Sequence, residues 1–252
     1  MPANILPLVT PLGWAILVLA LFAFAFFSRW VLDNPRQGDP LIGLAFRFVQ
    51  VYVRLVHHLE VRGLQHVPKT RRPGPLVVVC NHTAGVDPLL VQSACPFEIR
   101  WMMALDMKVA AMDLIWDWAD IIFVDRTGKD TVGARDALKH VKQGGVIGVF
   151  PEGAIERPHR HILPFHPGVG LIVSRTGAPV LPVVIEGTPQ ARMPWTSLRM
   201  SSHSRITFGP LMRFDDRRYS PAEVAQLLQS WYLDQTGWPT APTPSTSPAY
   251  RG

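Results

Sequence analysis

The stretch Val77-Val78-Val79-Cys80-Asn81-His82-Thr83-Ala84-Gly85-Val86-Asp87-Pro88 decides how this chain is read. An apolar, β-branched run ends at Asn81, and Pro88-Leu89-Leu90 reads as the opening of a helix. Asp87 then falls at the N-cap and Pro88 at the first helical position, where a missing N–H costs nothing. The turn between them holds a histidine and an aspartate. On the structural reading, Asp87 caps the helix and His82 is a turn residue. On the chemical reading, the Asp87 carboxylate folds back onto the imidazole N–H, fixes its tautomer and leaves the other ring nitrogen as a general base. The stretch alone leans to the first reading, and a second motif downstream changes the weight.

That motif is Phe150-Pro151-Glu152-Gly153, which follows the apolar run Val146 to Phe150 as the His82 turn follows Val77 to Cys80. Between the two, strands are expected at Glu98 to Met103 and Ile121 to Val124, the latter ending in Asp125-Arg126. Helices are expected at Met107 to Trp118 and Asp130 to Lys142, the second stopped by Gly144-Gly145. Further on come a helix at Gly168 to Thr176 and strands at Val180 to Ile185 and Arg205 to Phe208. Ser220-Pro221-Ala222-Glu223 is a capping box with proline at its first helical position, and it opens a helix to about Leu233. Upstream, Leu59 to Arg62 and Pro75 to Cys80 read as strands. Strands alternating with helices of about ten residues make an α/β domain, a mixed sheet flanked by helices. In such sheets ligands bind beyond the carboxyl ends of strands. His82 with Asp87, Arg126 and Glu152 would then face one crevice, the base at one strand end and an arginine at another to hold an anionic group.

The N-terminus differs in character. From Ile5 to Phe27 every residue except Pro7, Thr10, Pro11 and Gly13 is strongly apolar, and none is charged. A helix of about 23 residues is long enough to cross a hydrocarbon core of about 30 Å. The prolines sit in its first third, so the dependable helix is Leu12 to Phe27, and a segment that dips into one leaflet competes with a full span. A cleaved signal would carry a basic residue ahead of the apolar run, and none stands there. Arg29 and Arg36 follow it, which favours the remainder on the cytoplasmic side of an inner membrane. Leu41 to His58 carries a broad apolar stripe at helical spacing, interrupted by Arg47, Arg54, His57 and His58. It suits either the membrane interface or the core of the domain. Residues 1–58 thus form an anchoring region and 59–236 the catalytic domain. Residues 237–252, dominated by Pro, Thr and Ser, read as a disordered tail.

The net charge of +6 calls for an anionic surface or substrate. The basic residues are scattered without a nucleic-acid motif, so membrane lipids are the expected partner and nucleic acid is not. Two cysteines without metal spacing, Cys80 and Cys95, suit a reducing compartment.

In combination the motifs resemble the glycerophospholipid acyltransferase family, which includes 1-acyl-glycerol-3-phosphate acyltransferases. Asn81-His82 to Asp87 matches its His-x-x-x-x-Asp block, Phe123-Val124-Asp125-Arg126 is similar to its arginine block, and Phe150-Pro151-Glu152-Gly153 matches a third. Val180-Leu181-Pro182-Val183-Val184-Ile185, ending in Gly187-Thr188, is similar to the fourth. The resemblance covers roughly residues 59 to 210. It implies an O-acyltransferase in which His82, oriented by Asp87, takes the proton of the acceptor hydroxyl. The hydroxyl attacks an acyl thioester on coenzyme A or acyl carrier protein. Arg126, Glu152 and Gly153 would line the acceptor site, and no cofactor is implied. The implied acceptor is lysophosphatidic acid or a related lysophospholipid. The alternatives are glycerol 3-phosphate, a lysolipid without a phosphomonoester such as an amino-acid lysolipid, or a non-catalytic lipid-binding scaffold. The family often continues its third block with Thr-Arg, the arginine expected on the acceptor phosphate. Here Ala154-Ile155-Glu156-Arg157 follows, so Arg157 or Arg160 would have to reach back.

Other patterns weigh less. His159, His161 and His166 have only Glu156 nearby to complete a metal site, so a solvated basic loop is expected and no metal. Gly168-x-Gly170 lacks the glycine that would complete a dinucleotide fingerprint.

Overall fold

The computed structural model describes residues 11–36, 38–109, 112–125, 131–214 and 219–241. Within them, β2 (Leu76–Cys80) is buried on both faces, as its unbroken apolar run requires. It sits at the centre of a seven-stranded sheet. The others are β1 (Glu60–Arg62), β3 (Arg100–Ala104), β4 (Ile122–Val124), β5 (Val146–Val149), β6 (Val180–Glu186) and β7 (Arg205–Phe208), in the order β1-β7-β6-β2-β5-β3-β4. From β6 to β4 neighbouring strands run parallel, while β7 is antiparallel to β6 and pairs in parallel with β1. The mixed sheet expected from the sequence is therefore present, and the turns after β2, β4 and β5 leave from one edge of it.

Each face of the sheet has its own core. Val77 and Val79 pack with α5 (Val132–Lys142), α6 (Gly168–Thr176) and α7 (Pro221–Thr236). Leu76, Val78 and Cys80 pack with α3 (Asp87–Ala94) and with Val53 of α2 (Pro40–Val56). The capping box at Ser220 forms as expected. A backbone gap beside Pro182, which lacks an N–H within a central strand, is filled from α7. The Tyr232 hydroxyl accepts from Val183 N at 3.0 Å and donates to Val79 O at 2.6 Å.

Three expectations shift. The helix expected over Met107 to Trp118 is a 3₁₀ turn, Leu105–Met107, followed by the short α4 (Asp113–Trp118). The Trp116 indole donates to Val109 O and folds the segment back on itself. The tail does not begin at Gly237: Trp238 is buried, and Ile162 and residues 239–241 exchange backbone hydrogen bonds. One large indole and two strand-like bonds outweigh the polar composition there. Residues 242–252 lie outside those described.

The third shift is at the N-terminus. α1 (Pro11–Leu32) runs past Phe27, and Gly13–Leu32 is the one helix among the described residues long and apolar enough to cross a membrane, with mean hydropathy 2.2. α2 crosses its end closely: a Cβ at Gly43 would meet Val31 O at 2.0 Å. Arg47 donates to Trp30 O and Asp33 O, satisfying carbonyls that the end of α1 leaves open. α2 has a buried and an exposed apolar side. Ile42 and Val53 are buried against the protein, while Leu41, Leu44, Phe48, Val51 and Leu55 form an exposed apolar stripe.

Candidate active site

β2 and β5 are parallel neighbours, with Val79 opposite Val149, so the turns that leave them lie side by side. Asn81 fixes the point of departure. Its side chain continues the ladder, donating to Ile185 O at 2.9 Å and accepting from Ile185 N at 2.7 Å. The next residue is His82.

Asp87 is fully buried, and it does not cap its own helix. Its Oδ2 lies 2.9 Å from His82 Nδ1 and accepts from Thr83 N at 2.7 Å and Ala84 N at 2.9 Å. Its Oδ1 accepts from the Thr83 hydroxyl at 3.1 Å. The carboxylate thus reaches back over the turn onto the imidazole instead of capping the helix. A carboxylate at Nδ1 calls for the proton on that nitrogen, which directs the lone pair to Nε2. Nε2 makes no hydrogen bond among the described residues, and the side chain keeps 19% exposure.

The loop after β5 grips the histidine from the other side. His82 N donates to Glu152 Oε1 at 2.8 Å, and His82 O accepts from Glu156 N at 2.8 Å. The Phe150 ring stacks on the imidazole at 4.2 Å, with Trp101 stacked behind Phe150 at 5.2 Å. Glu152 Oε2 accepts from Leu163 N at 2.9 Å, so both its oxygens hold backbone and the residue clamps two loops together. Burial pushes its pKa up to about 8 against the pull of these two donors. Gly153 takes a positive φ of 66° at the turn, with His166 packed close to where a Cβ would point.

The remaining expected site residues fall in different places. Arg157 is turned onto carbonyls, Nη1 donating to Glu156 O at 2.7 Å and Nη2 to Ala191 O at 2.8 Å. Arg160 lies over the Trp238 ring. Asp125 sits at the end of β4, on the same edge of the sheet as His82, whereas Arg126 lies outside the described residues. His159 lies 2.8 Å from the buried Glu156, whose pKa burial raises to about 7. Among the described residues no three His, Cys, Asp or Glu side chains gather to hold a metal. Cys80 and Cys95 are free and buried, and burial raises both thiols, which leaves them poor nucleophiles.

Sequence reasoning missed a hydroxyl relay. Thr188 donates to Thr83 Oγ1 at 2.7 Å, and Thr83 in turn donates to Asp87. In the sequence, Gly187-Thr188 reads only as the turn that ends a block. Its link to Thr83 spans 105 positions, and no local pattern encodes it.

The family model for acyltransferases matches residues 58–186, just over half the chain, and takes in the His82 turn and the Glu152 loop together. The chain belongs to the acyltransferase family. Among curated relatives, a 1-acyl-sn-glycerol-3-phosphate acyltransferase of Borreliella burgdorferi is 30% identical over 132 residues, covering 51% of each chain. A putative 1-acyl-sn-glycerol-3-phosphate acyltransferase of Caenorhabditis elegans is 32% identical over 131 residues, covering 50% of this chain and 45% of its own. This acyltransferase-family chain therefore spans about half the length of these curated relatives. The crystal structure of the 1-acyl-sn-glycerophosphate acyltransferase of Thermotoga maritima shares the fold. It has a TM-score of 0.60 and 18% identity, over 88% of this chain and 94% of that one.

Proposed function

We propose that this protein transfers a fatty acyl group from a thioester, acyl-CoA or acyl carrier protein, to the hydroxyl of a lysophospholipid of the 1-acyl-sn-glycerol-3-phosphate type. The observation that carries the reading is His82 Nδ1 at 2.9 Å from a fully buried Asp87 that three further donors hold in place. Nε2 takes the acceptor's proton as its oxygen attacks the acyl carbon. The C–O ester bond forms, the C–S bond breaks, and the proton passes to the leaving thiolate. No acyl-enzyme is required. Asp87 holds the tautomer and balances the imidazolium that forms on the way.

α1 anchors the domain, and the exposed stripe of α2 rests on the same membrane with the exposed Arg54 near lipid phosphates. Arg29 and Arg36 keep the domain on the cytoplasmic side. Arg126 and Gly153 belong to the acceptor side of this reading, and Arg126→Ala would chiefly raise KM for an anionic acceptor. The engagement of Arg157 with two carbonyls favours a second reading, in which the acceptor is a lysolipid without a phosphomonoester.

Acyl transfer by the full-length protein and His82→Ala, with labelled acyl-CoA and acyl carrier protein, tests both. The acceptors are lysophosphatidic acid, glycerol 3-phosphate, lysophosphatidylcholine and an amino-acid lysolipid. His82-dependent product from lysophosphatidic acid is expected, and product from another acceptor alone would replace the first reading by the second. Activity unchanged in His82→Ala, or none from any pairing, would overturn the catalytic assignment.

A further inference from the structure

The segment between β3 and β4 turns an apolar face to solvent. Leu114 is 87% exposed, and Leu105, Val109, Ile115 and Trp118 are exposed beside it. On α4, Leu114, Ile115 and Trp118 share one face at helical spacing, while Asp113 and Asp117 occupy another. The face is not an accident of a loose end. The Trp116 indole, bonded to Val109 O at 3.1 Å, fixes the helix to the segment before it.

Two contacts locate this face. Arg36, in the link between α1 and α2, donates from Nη1 to Trp118 O at 3.0 Å and from Nε to Glu98 at 2.5 Å. The α4 face is thereby joined to the end of the apolar helix α1. On its other side, the Trp116 ring lies 5.4 Å from Trp195 in the turn Pro194–Arg199. That turn packs on the His82 loop so closely that a Cβ at Gly85 would meet Pro194 O at 2.4 Å. One exposed apolar helix face therefore lies between the membrane anchor and the catalytic turn.

We propose that Leu105, Val109 and the Leu114–Ile115–Trp118 face of α4 insert into the lipid surface as a second contact. The mouth of the site at His82 is then held against the bilayer. The inference rests on the anchoring reading of α1. Lipid is the occupant that fits, because Arg36 ties the face to the end of the apolar helix α1 and the face ends in an exposed tryptophan, a side chain suited to the interface. An acidic protein partner would meet Asp106, Asp113 and Asp117, whereas in an interfacial segment these stay in the water layer. A single-chain acceptor would reach Nε2 without leaving the membrane.

The full-length protein, reconstituted in phosphatidylcholine vesicles, is labelled with a polarity-sensitive fluorophore at Leu114→Cys, at Asp117→Cys, at Phe22→Cys in α1 or at Leu227→Cys in α7. The buried native cysteines, Cys80 and Cys95, stay unlabelled in the folded protein. The 114 label is expected to shift to the blue and be quenched by nitroxide-bearing lipid, as the 22 label is. The 117 label should shift less, and the 227 label should stay in water. A 114 label as water-exposed as the 227 label, while the 22 label is in lipid, overturns the second contact and leaves the anchor standing. If the 22 label is in water the anchoring reading fails. The 114 label then decides alone: lipid contact supports a surface-bound α4, and water exposure overturns it.

Discussion

Asp87 illustrates how one carboxylate can be committed to orientation. Its four donors come from three consecutive residues, so the turn is built around the carboxylate as much as around the imidazole. Asp87→Asn places an amide N–H where Nδ1–H must donate and favours the wrong tautomer. The turnover number should fall by about 100-fold or more with little change in KM. A large rise in KM at unchanged turnover would contradict this. Thr188→Val removes only the outer hydroxyl of the relay and leaves Thr83 donating to Asp87. A smaller fall, roughly threefold to tenfold in kcat, is expected from loosened second-layer support, again with KM little changed. Equal losses in both variants would mean that Thr188 acts on the reaction more directly than this geometry implies.

Elements position these residues through contacts that cross the chain. The His82 turn is gripped by the loop after β5, and β2 is tied to β6 by Asn81 at its end and by Tyr232 nearby. Tyr232→Phe keeps the ring packing but leaves Val79 O and Val183 N without partners in a fully buried layer. The expected cost is about 1–3 kcal/mol in denaturant unfolding, with the midpoint moving and the slope unchanged. A neutral outcome would mean that water or a strand shift takes up the two groups. Gly170 has a similar role between α6 and α7, where a Cβ would meet Pro221 O at 1.8 Å. Gly170→Ala should push the two helices apart and destabilise the domain by roughly 1–3 kcal/mol, read by thermal unfolding.

At the scale of the whole molecule, two buried carboxyls next to the site make the fold sensitive to alkali. Burial raises Glu152 to about 8 and Glu156 to about 7. Below about pH 4.5 both are protonated in the folded and unfolded chain alike. Above that, the unfolded chain releases protons that the folded chain retains, so stability declines as pH rises toward 7 and 8. The slope is at most about 1.4 kcal/mol per pH unit for each retained proton. Glu152→Gln, which still offers one acceptor, should flatten this decline over the window from about 4.5 to 8 in unfolding measured across pH. A decline as steep as that of the unaltered protein would assign the retained proton elsewhere.

The amino-acid sequence alone determined the α/β class and the bounds of most elements to within a few residues, and it offered the pairing of His82 with Asp87 that the folded turn then showed. Each of these is written in neighbouring positions: β-branched runs, a capping box, a histidine and a carboxylate on one turn. Only the tertiary structure decided what Glu152 and Arg157 hold, because their partners Leu163 N, His82 N and Ala191 O belong to separate loops that meet only after folding. It also decided that Tyr232 completes the sheet 153 positions away, and that an arginine after α1 ties the end of that helix to α4. Periodicity reports which face of an element is apolar. Which neighbour that face meets is set by the order of strands in the sheet, and no local stretch of sequence states it.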